Sequence, residues 1–208
     1  MIKINIIFHS VYGHIYEMAK AIAAGAASVP NVEVTIKQVE ETLPKSILKE
    51  MNGYESKQLL QHIPVAAVED LVEADAVILG APTYFGQMSA QMLSFLNAAG
   101  EFWANGATID KIGSAFSAAA DQNGGADDVL RGLHTVMLHF GYIIVGCPTS
   151  LAITEAHLED EITGGSCYGA YSTCGEGTSR GISENERKLA FQQGKHVAEI
   201  TKKLHGNN

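Results

Sequence analysis

The chain has 208 residues, 46% hydrophobic and 18% charged, enough for one globular domain with a substantial core. A formal charge of -9 without any run of Lys or Arg argues against phosphate neutralisation, and so against DNA, RNA or an anionic membrane surface as partner. The longest apolar run, Ala74 to Pro82, is interrupted by Asp75 and is strand-sized, so no membrane insertion is expected. The first residues lack the pattern of a leader. Three cysteines, Cys147, Cys167 and Cys174, make neither an even disulfide framework nor zinc-ligand spacing, so reduced cytoplasmic thiols and no metal are expected.

Strand and helix patterns alternate along the chain. Ile2, Ile4, Ile6, Ile7 and Phe8 read as a strand buried on both faces. After a turn at Ser10 to Gly13, Ile15, Met18, Ala19, Ile22, Ala23, Ala26 and Ala27 recur at helical spacing. Val32, Val34, Ile36 and Val39 suit an edge strand. The stretch from Glu40 to Glu69 is mixed, with a short helix at Ile47, Leu48 and Met51 broken by Gly53. Ala76 to Ala81 is the clearest core strand, and a helix carrying Met92, Phe95, Leu96 and Ala99 starts near Ser89. Gly113 to Ser117 reads as a fourth strand, followed by polar Asp121 to Gly125. A helix with Val129, Leu130, Leu133, Val136, Met137 and Phe140 comes next, Asp127 and Asp128 in its first turn favouring the dipole. Tyr142 to Val145 is a fifth strand. Ser183 and Glu186 form a capping-box pair for the last helix.

This alternation predicts a single α/β domain over residues 1–208: a five-stranded parallel sheet between two helix layers, a three-layer sandwich in the flavodoxin-like order 2-1-3-4-5. In that order three loops lie side by side at the carboxyl ends of the strands: Ser10 to Ile15, Pro82 to Gly86, and Ser117 to Gly125. A P-loop is absent, and the nearest approach to a dinucleotide fingerprint, Gly175 to Arg180, follows no strand. A phosphate monoester on a flat aromatic group fits better. A helix start with hydroxyls can hold such a phosphate, and Thr83, Tyr84 and Phe85 offer a hydroxyl and aromatic surface for a ring. FMN meets both requirements. The bland readings are an ordinary strand-to-helix turn, core or interface packing for Trp103, and histidines at 9, 14, 134 and 139 that are solvated or bonded to backbone.

Four stretches together resemble the WrbA family of flavodoxin-like NAD(P)H:quinone oxidoreductases: Ser10 to Ile15, Ala81 to Ser89, Phe102 to Gly106, and Gly164 to Ala170. The resemblance covers nearly the whole chain. It implies FMN held by Ser10, Val11, Tyr12, Gly13, His14 and Ile15 at the phosphate and ribityl chain, and by Pro82, Thr83, Tyr84, Phe85 and Gly86 along the ring. Ser117, Ala118 and Ala119 in the third loop belong to the same implied set, and His139 would reach the flavin of a neighbouring subunit. Trp103 and Tyr12 would face substrate, NADH or NADPH being the donor and a quinone the acceptor, in a homotetramer. Two departures stand out. Tyr84 replaces a common Arg, and the third loop is less rich in hydroxyls and one residue longer.

The implied chemistry is a two-step, ping-pong exchange on the flavin, which needs no dedicated acid-base pair. Accordingly no catalytic side chain is singled out. Two alternatives share the fold: a one-electron carrier of the flavodoxin type, and a flavin-free binding or scaffold protein. The Gly-rich excursion from Cys147 to Ile182 is long for a loop in a compact domain and points to function or assembly.

Overall fold

Seven consecutive residues with a near-continuous apolar pattern form β1 (Ile2–Phe8), buried at every position except Lys3. The computed structural model describes residues 1–148, 150 and 163–206. Through α1 (His14–Ala27) the chain reaches β2 (Val32–Gln38), the edge strand, parallel to β1 over its whole length. Three short helices follow: α2 (Lys45–Glu50), α3 (Tyr54–Leu59) and α4 (Asp70–Glu73). β3 (Ala76–Tyr84) then pairs with the other side of β1, and β4 (Gln87–Met88) folds back antiparallel on its end. Next come α5 (Ala90–Asn97), α6 (Gly100–Ala104), the fully buried β5 (Ile112–Ala119), α7 (Ala126–His139), β6 (Ile143–Ile144), β7 (Tyr171–Thr173) and α8 (Glu184–His205).

The order β2-β1-β3-β5-β6 is the one expected. Alternation along the strands divides the core into two layers. Ile2, Ile4, Ile6 and Phe8 join Ile15, Met18 and Ile22 of α1 and Leu189 and Val197 of α8. On the other face, Ile7, Val77 and Leu79 join Met92 and Leu96 of α5 and Leu130, Leu133 and Met137 of α7. Helices α1 and α8 touch backbone to backbone. A Cβ on Gly25 would lie 1.9 Å from the Phe191 carbonyl oxygen, and one on Gly194 would lie 2.0 Å from that of Ile22.

The fifth strand position differs from the simple reading. Of Tyr142 to Val145 only Ile143 and Ile144 pair with β5, opposite Ile112 and Gly113. The Cys147 amide then donates to the Cys167 carbonyl, which turns the chain off the sheet. The remaining edge of β5, Ser117 to Ala119, is taken by β7. Buried Gln193 of α8 fixes this arrangement. Its amide donates to Ser114 Oγ and the Ala115 carbonyl, while its oxygen accepts from the Ala170 amide at 2.7 Å. The final helix carries the expected capping box, with Ser183 and Glu186 bonded reciprocally.

Candidate functional site

β1 ends at Phe8, and the turn that follows must reverse into α1 within five residues. Gly13 makes this possible by taking φ 94°, a left-handed conformation that costs a residue with Cβ about 1–2 kcal/mol. Ser10 Oγ accepts from the Gly13 amide at 3.0 Å and closes the turn. The first helical bond runs from the Glu17 amide to the Gly13 carbonyl. Among the described residues the amides of His14, Ile15 and Tyr16 therefore have no backbone partner, and α1 has no side-chain cap. Three unpaired donors at the positive end of a helix form an anion cradle.

Two other loops and one distant segment face this turn. Ser10, Tyr12, His14 and Ile15 line a cleft of ≈ 150 Å³ with Pro82, Thr83 and Tyr84, with Ala118 and Ala120, and with Cys174, Gly175 and Gly177. An adjoining cleft of ≈ 380 Å³ shares Tyr12 and His14 and is flanked by Glu17, Thr178 and Arg180. Together they reach the range of small-ligand sites, about 300–1,000 Å³. His14 Nε2 lies 2.7 Å from the Gly177 carbonyl, so the histidine does satisfy backbone, but backbone from the far end of the chain. Glu186 holds that distant segment in place. Its buried carboxylate accepts from the Gly164, Thr173 and Ser183 amides, Ser172 Oγ and Arg180.

Polar atoms inside the cleft point to the kind of ligand it suits. Thr83 Oγ1 is buried and unpartnered among the described residues, which leaves a hydroxyl ready for a ligand. Burial, reinforced by Tyr12 and Glu41, raises the Tyr84 phenol to about 12, so it stays neutral at physiological pH. Burial likewise raises the Cys174 thiol to about 11, which makes it unreactive as a nucleophile. An anion cradle beside a mostly apolar slot with one free hydroxyl fits the phosphate and flat ring of FMN.

The expected site residues do not all lie in the cleft. Val11 is buried behind the turn, where a Cβ on Gly53 would come within 2.3 Å of its Cγ1. Gly13 borders only the adjoining cleft. Ser117 is buried and donates to the Ala81 carbonyl at 2.8 Å, so it ties the second loop to the third. Ala119 is also buried, and its carbonyl accepts from Cys174. Phe85 is fully exposed with φ 52°, beside Gly86, whose Cα leaves no room for a side chain on Gly125. Trp103 on α6 is 58% exposed, and His139 is exposed at the end of α7. Neither borders the cleft.

Sequence reasoning missed the groups behind the turn. His9, wholly buried, places Nε2 3.0 Å from Glu41 Oε2. Burial lowers the His9 pKa below its ordinary value against the opposing pull of Glu41. Burial pushes the Glu41 carboxyl up, but bonds from His9, the Leu43 amide and Gln91 outweigh it and bring the group to about 2. Lys57 Nζ donates to the Ser10 carbonyl at 3.0 Å and to Gln38 Oε1 at 3.2 Å, and stands 4.0 Å from Glu41. The Tyr12 hydroxyl donates to the Met51 carbonyl at 2.8 Å. Gly53 was the one visible signal, a break placed where no side chain fits.

A parallel sheet covered on both faces, with a mononucleotide-sized crevice at the carboxyl ends of β1, β3 and β5, defines a flavodoxin-like protein. Residues 3–156 match the family model of the NADPH-dependent FMN reductases. A Methanosarcina mazei protein named NAD(P)H dehydrogenase (quinone) is 47% identical over 210 residues, covering 99% of this chain and 100% of its own. Its namesake from Geotalea daltonii is 45% identical over 202 residues, covering 97% and 98%. The crystal structure of a WrbA-like flavodoxin from Agrobacterium tumefaciens superposes with a TM-score of 0.64 at 23% identity, over 98% of this chain and 99% of that one. The chain belongs to the NADPH-dependent FMN reductase family, and the WrbA resemblance carried by its four motifs is borne out.

Proposed function

We propose that this protein is an FMN-dependent NAD(P)H:quinone oxidoreductase, a single flavodoxin-like domain that works in the cytoplasm as a homotetramer. The observation that carries the reading is the open start of α1, three unpaired amides facing a cleft whose other walls are Thr83, Tyr84 and the third loop. Relatives named NAD(P)H dehydrogenase (quinone), alike over the whole length, support the donor and acceptor. Among the described residues no helix is long and apolar enough to cross a membrane.

FMN, when bound, would supply the hydride chemistry that links NAD(P)H to a quinone. The chain's own part is to bind and orient. The amides of His14 to Tyr16 and Ser10 would hold the phosphate, while Val11 and Gly13 shape the turn and Ile15 packs beneath it. Thr83 Oγ1 and the neutral Tyr84 would meet the ring, with Pro82 and Ala118 as apolar wall and Ala119 buried behind it. Phe85 and Gly86 flank the cleft in the second loop, whereas Trp103 and His139, which do not border it, would act at the site of a neighbouring subunit in the tetramer. No side chain in the cleft need move a proton for this chemistry.

Steady-state turnover of NADH with benzoquinone by the FMN-loaded protein tests the reading. Parallel double-reciprocal lines are expected. Intersecting lines contradict alternate use of one pocket, and absence of turnover in a yellow protein favours an electron carrier.

A further inference from the structure

The turn meant for a doubly charged group contains no Lys or Arg. A phosphate monoester carries about -1.5 to -2 charge, whereas a helix start contributes roughly +0.5. Arg180, the guanidinium that borders the adjoining cleft, is engaged by Glu186 and the Thr173 carbonyl. Among the described residues one lysine or arginine side chain is bonded to the turn, from behind. Lys57 is carried there by the helical hairpin of α2 and α3, which meets the turn at three points: Gly53 against Val11, the Met51 carbonyl on Tyr12, and Lys57 itself on Ser10.

We propose that Lys57 makes this site select a phosphorylated flavin over its dephosphorylated form. Its ammonium sits on the Ser10 carbonyl and brings to the turn the positive charge that the turn's own residues lack. The inference rests on the FMN reading above. Glu41 does not cancel the effect, because of where its bonds lie. Its carboxylate is engaged by His9, the Leu43 amide and Gln91 at 3.0, 3.0 and 2.6 Å, whereas the ammonium stands 4.0 Å away. The pair is thus a fixed dipole with its positive end on Ser10. Burial lowers the Lys57 pKa, and Glu41 opposes that shift. A hydrogen bond alone does not call for a lysine here. Glutamine could donate to the Ser10 carbonyl without burying a charge, and burying charge is costly. Lys57 is a positioning and specificity residue, since it acts on the phosphate through Ser10.

The test compares dissociation constants of FMN and riboflavin, by flavin fluorescence, for the flavin-stripped protein and for Lys57→Gln and Lys57→Arg. Wild type is expected to prefer FMN. Lys57→Gln should weaken FMN at least tenfold while riboflavin changes less than twofold, and Lys57→Arg should keep the preference within threefold. A merely structural lysine would weaken both flavins equally. Lys57→Met replaces Lys57→Gln if thermal melting shows the latter unfolded. An FMN-to-riboflavin ratio unchanged in the neutral variant, or lost equally in Lys57→Arg, overturns the proposal. Failure of wild type to bind either flavin would instead overturn the functional reading itself.

Discussion

The two ends of the candidate cleft are built on opposite plans. Behind the turn at Ser10 to Ile15, His9, Gln38, Glu41 and Lys57 are buried or nearly so, and each is hydrogen-bonded to a partner at 3.2 Å or less. On the other side the second loop ends in fully exposed Phe85, and Trp103 and His139 are exposed away from the cleft altogether. The difference follows from what each end must do. A fixed charge is best held by dipoles that need not reorganise, in a medium where each counts for more. A face that exchanges a nicotinamide for a quinone must stay open.

The largest effect that would break this contrast is expected at Glu186. Its carboxylate is fully buried and holds Gly164, Ser172, Thr173 and Ser183, so Glu186→Ala strands several donors at once. A loss of about 3 kcal/mol is expected, read by calorimetry as a fall of roughly 6–12 °C in the melting temperature. FMN affinity should fall with it, because the segment bearing Gly177 is released.

A smaller effect is expected from pH. The folded His9 pKa lies below the 6.5 of the unfolded chain, so below that pH the unfolded state binds a proton the folded state refuses. Glu41, held near 2 against 4.5, acts in the same direction at lower pH. Both contributions are complete above about pH 6.5 and fade as pH drops, first for His9 and then for Glu41. The melting temperature should decline from pH 7 to pH 4, and His9→Asn should flatten the first part of that decline.

The smallest effect on stability is expected at the exposed aromatic residues. Phe85→Ala and Trp103→Ala should leave stability within about 0.5 kcal/mol, since neither side chain is buried. Both should raise KM for benzoquinone while leaving FMN affinity unchanged. A large loss of FMN affinity in either variant would show that these exposed side chains also anchor the cofactor.

The main strands, their order and the three loops were legible in the sequence because periodicity is local: β1 and β3 announce themselves by apolar runs, β5 more weakly by a run of small residues, and α8 by its capping box. The bracing behind the turn was not. Lys57 and Ser10 are 47 residues apart, and a lysine on a short helix looks like a solvated charge until the hairpin is folded. Nor was β7 visible, since Tyr171 to Thr173 carries no alternation and is placed by bonds to Glu186 and by pairing with β5. The split fifth strand has the same origin: Tyr142 to Val145 has strand composition, but the bond from Cys147 to Cys167 draws the chain away.

A crystal structure of the protein with FMN tests the central claim most directly. The phosphate is expected within hydrogen-bond distance of the amides of His14, Ile15 and Tyr16 and of Ser10 Oγ, with the ring between Tyr84 and the third loop. A phosphate left in solvent, or those three amides occupied by the segment around Gly177, would contradict it.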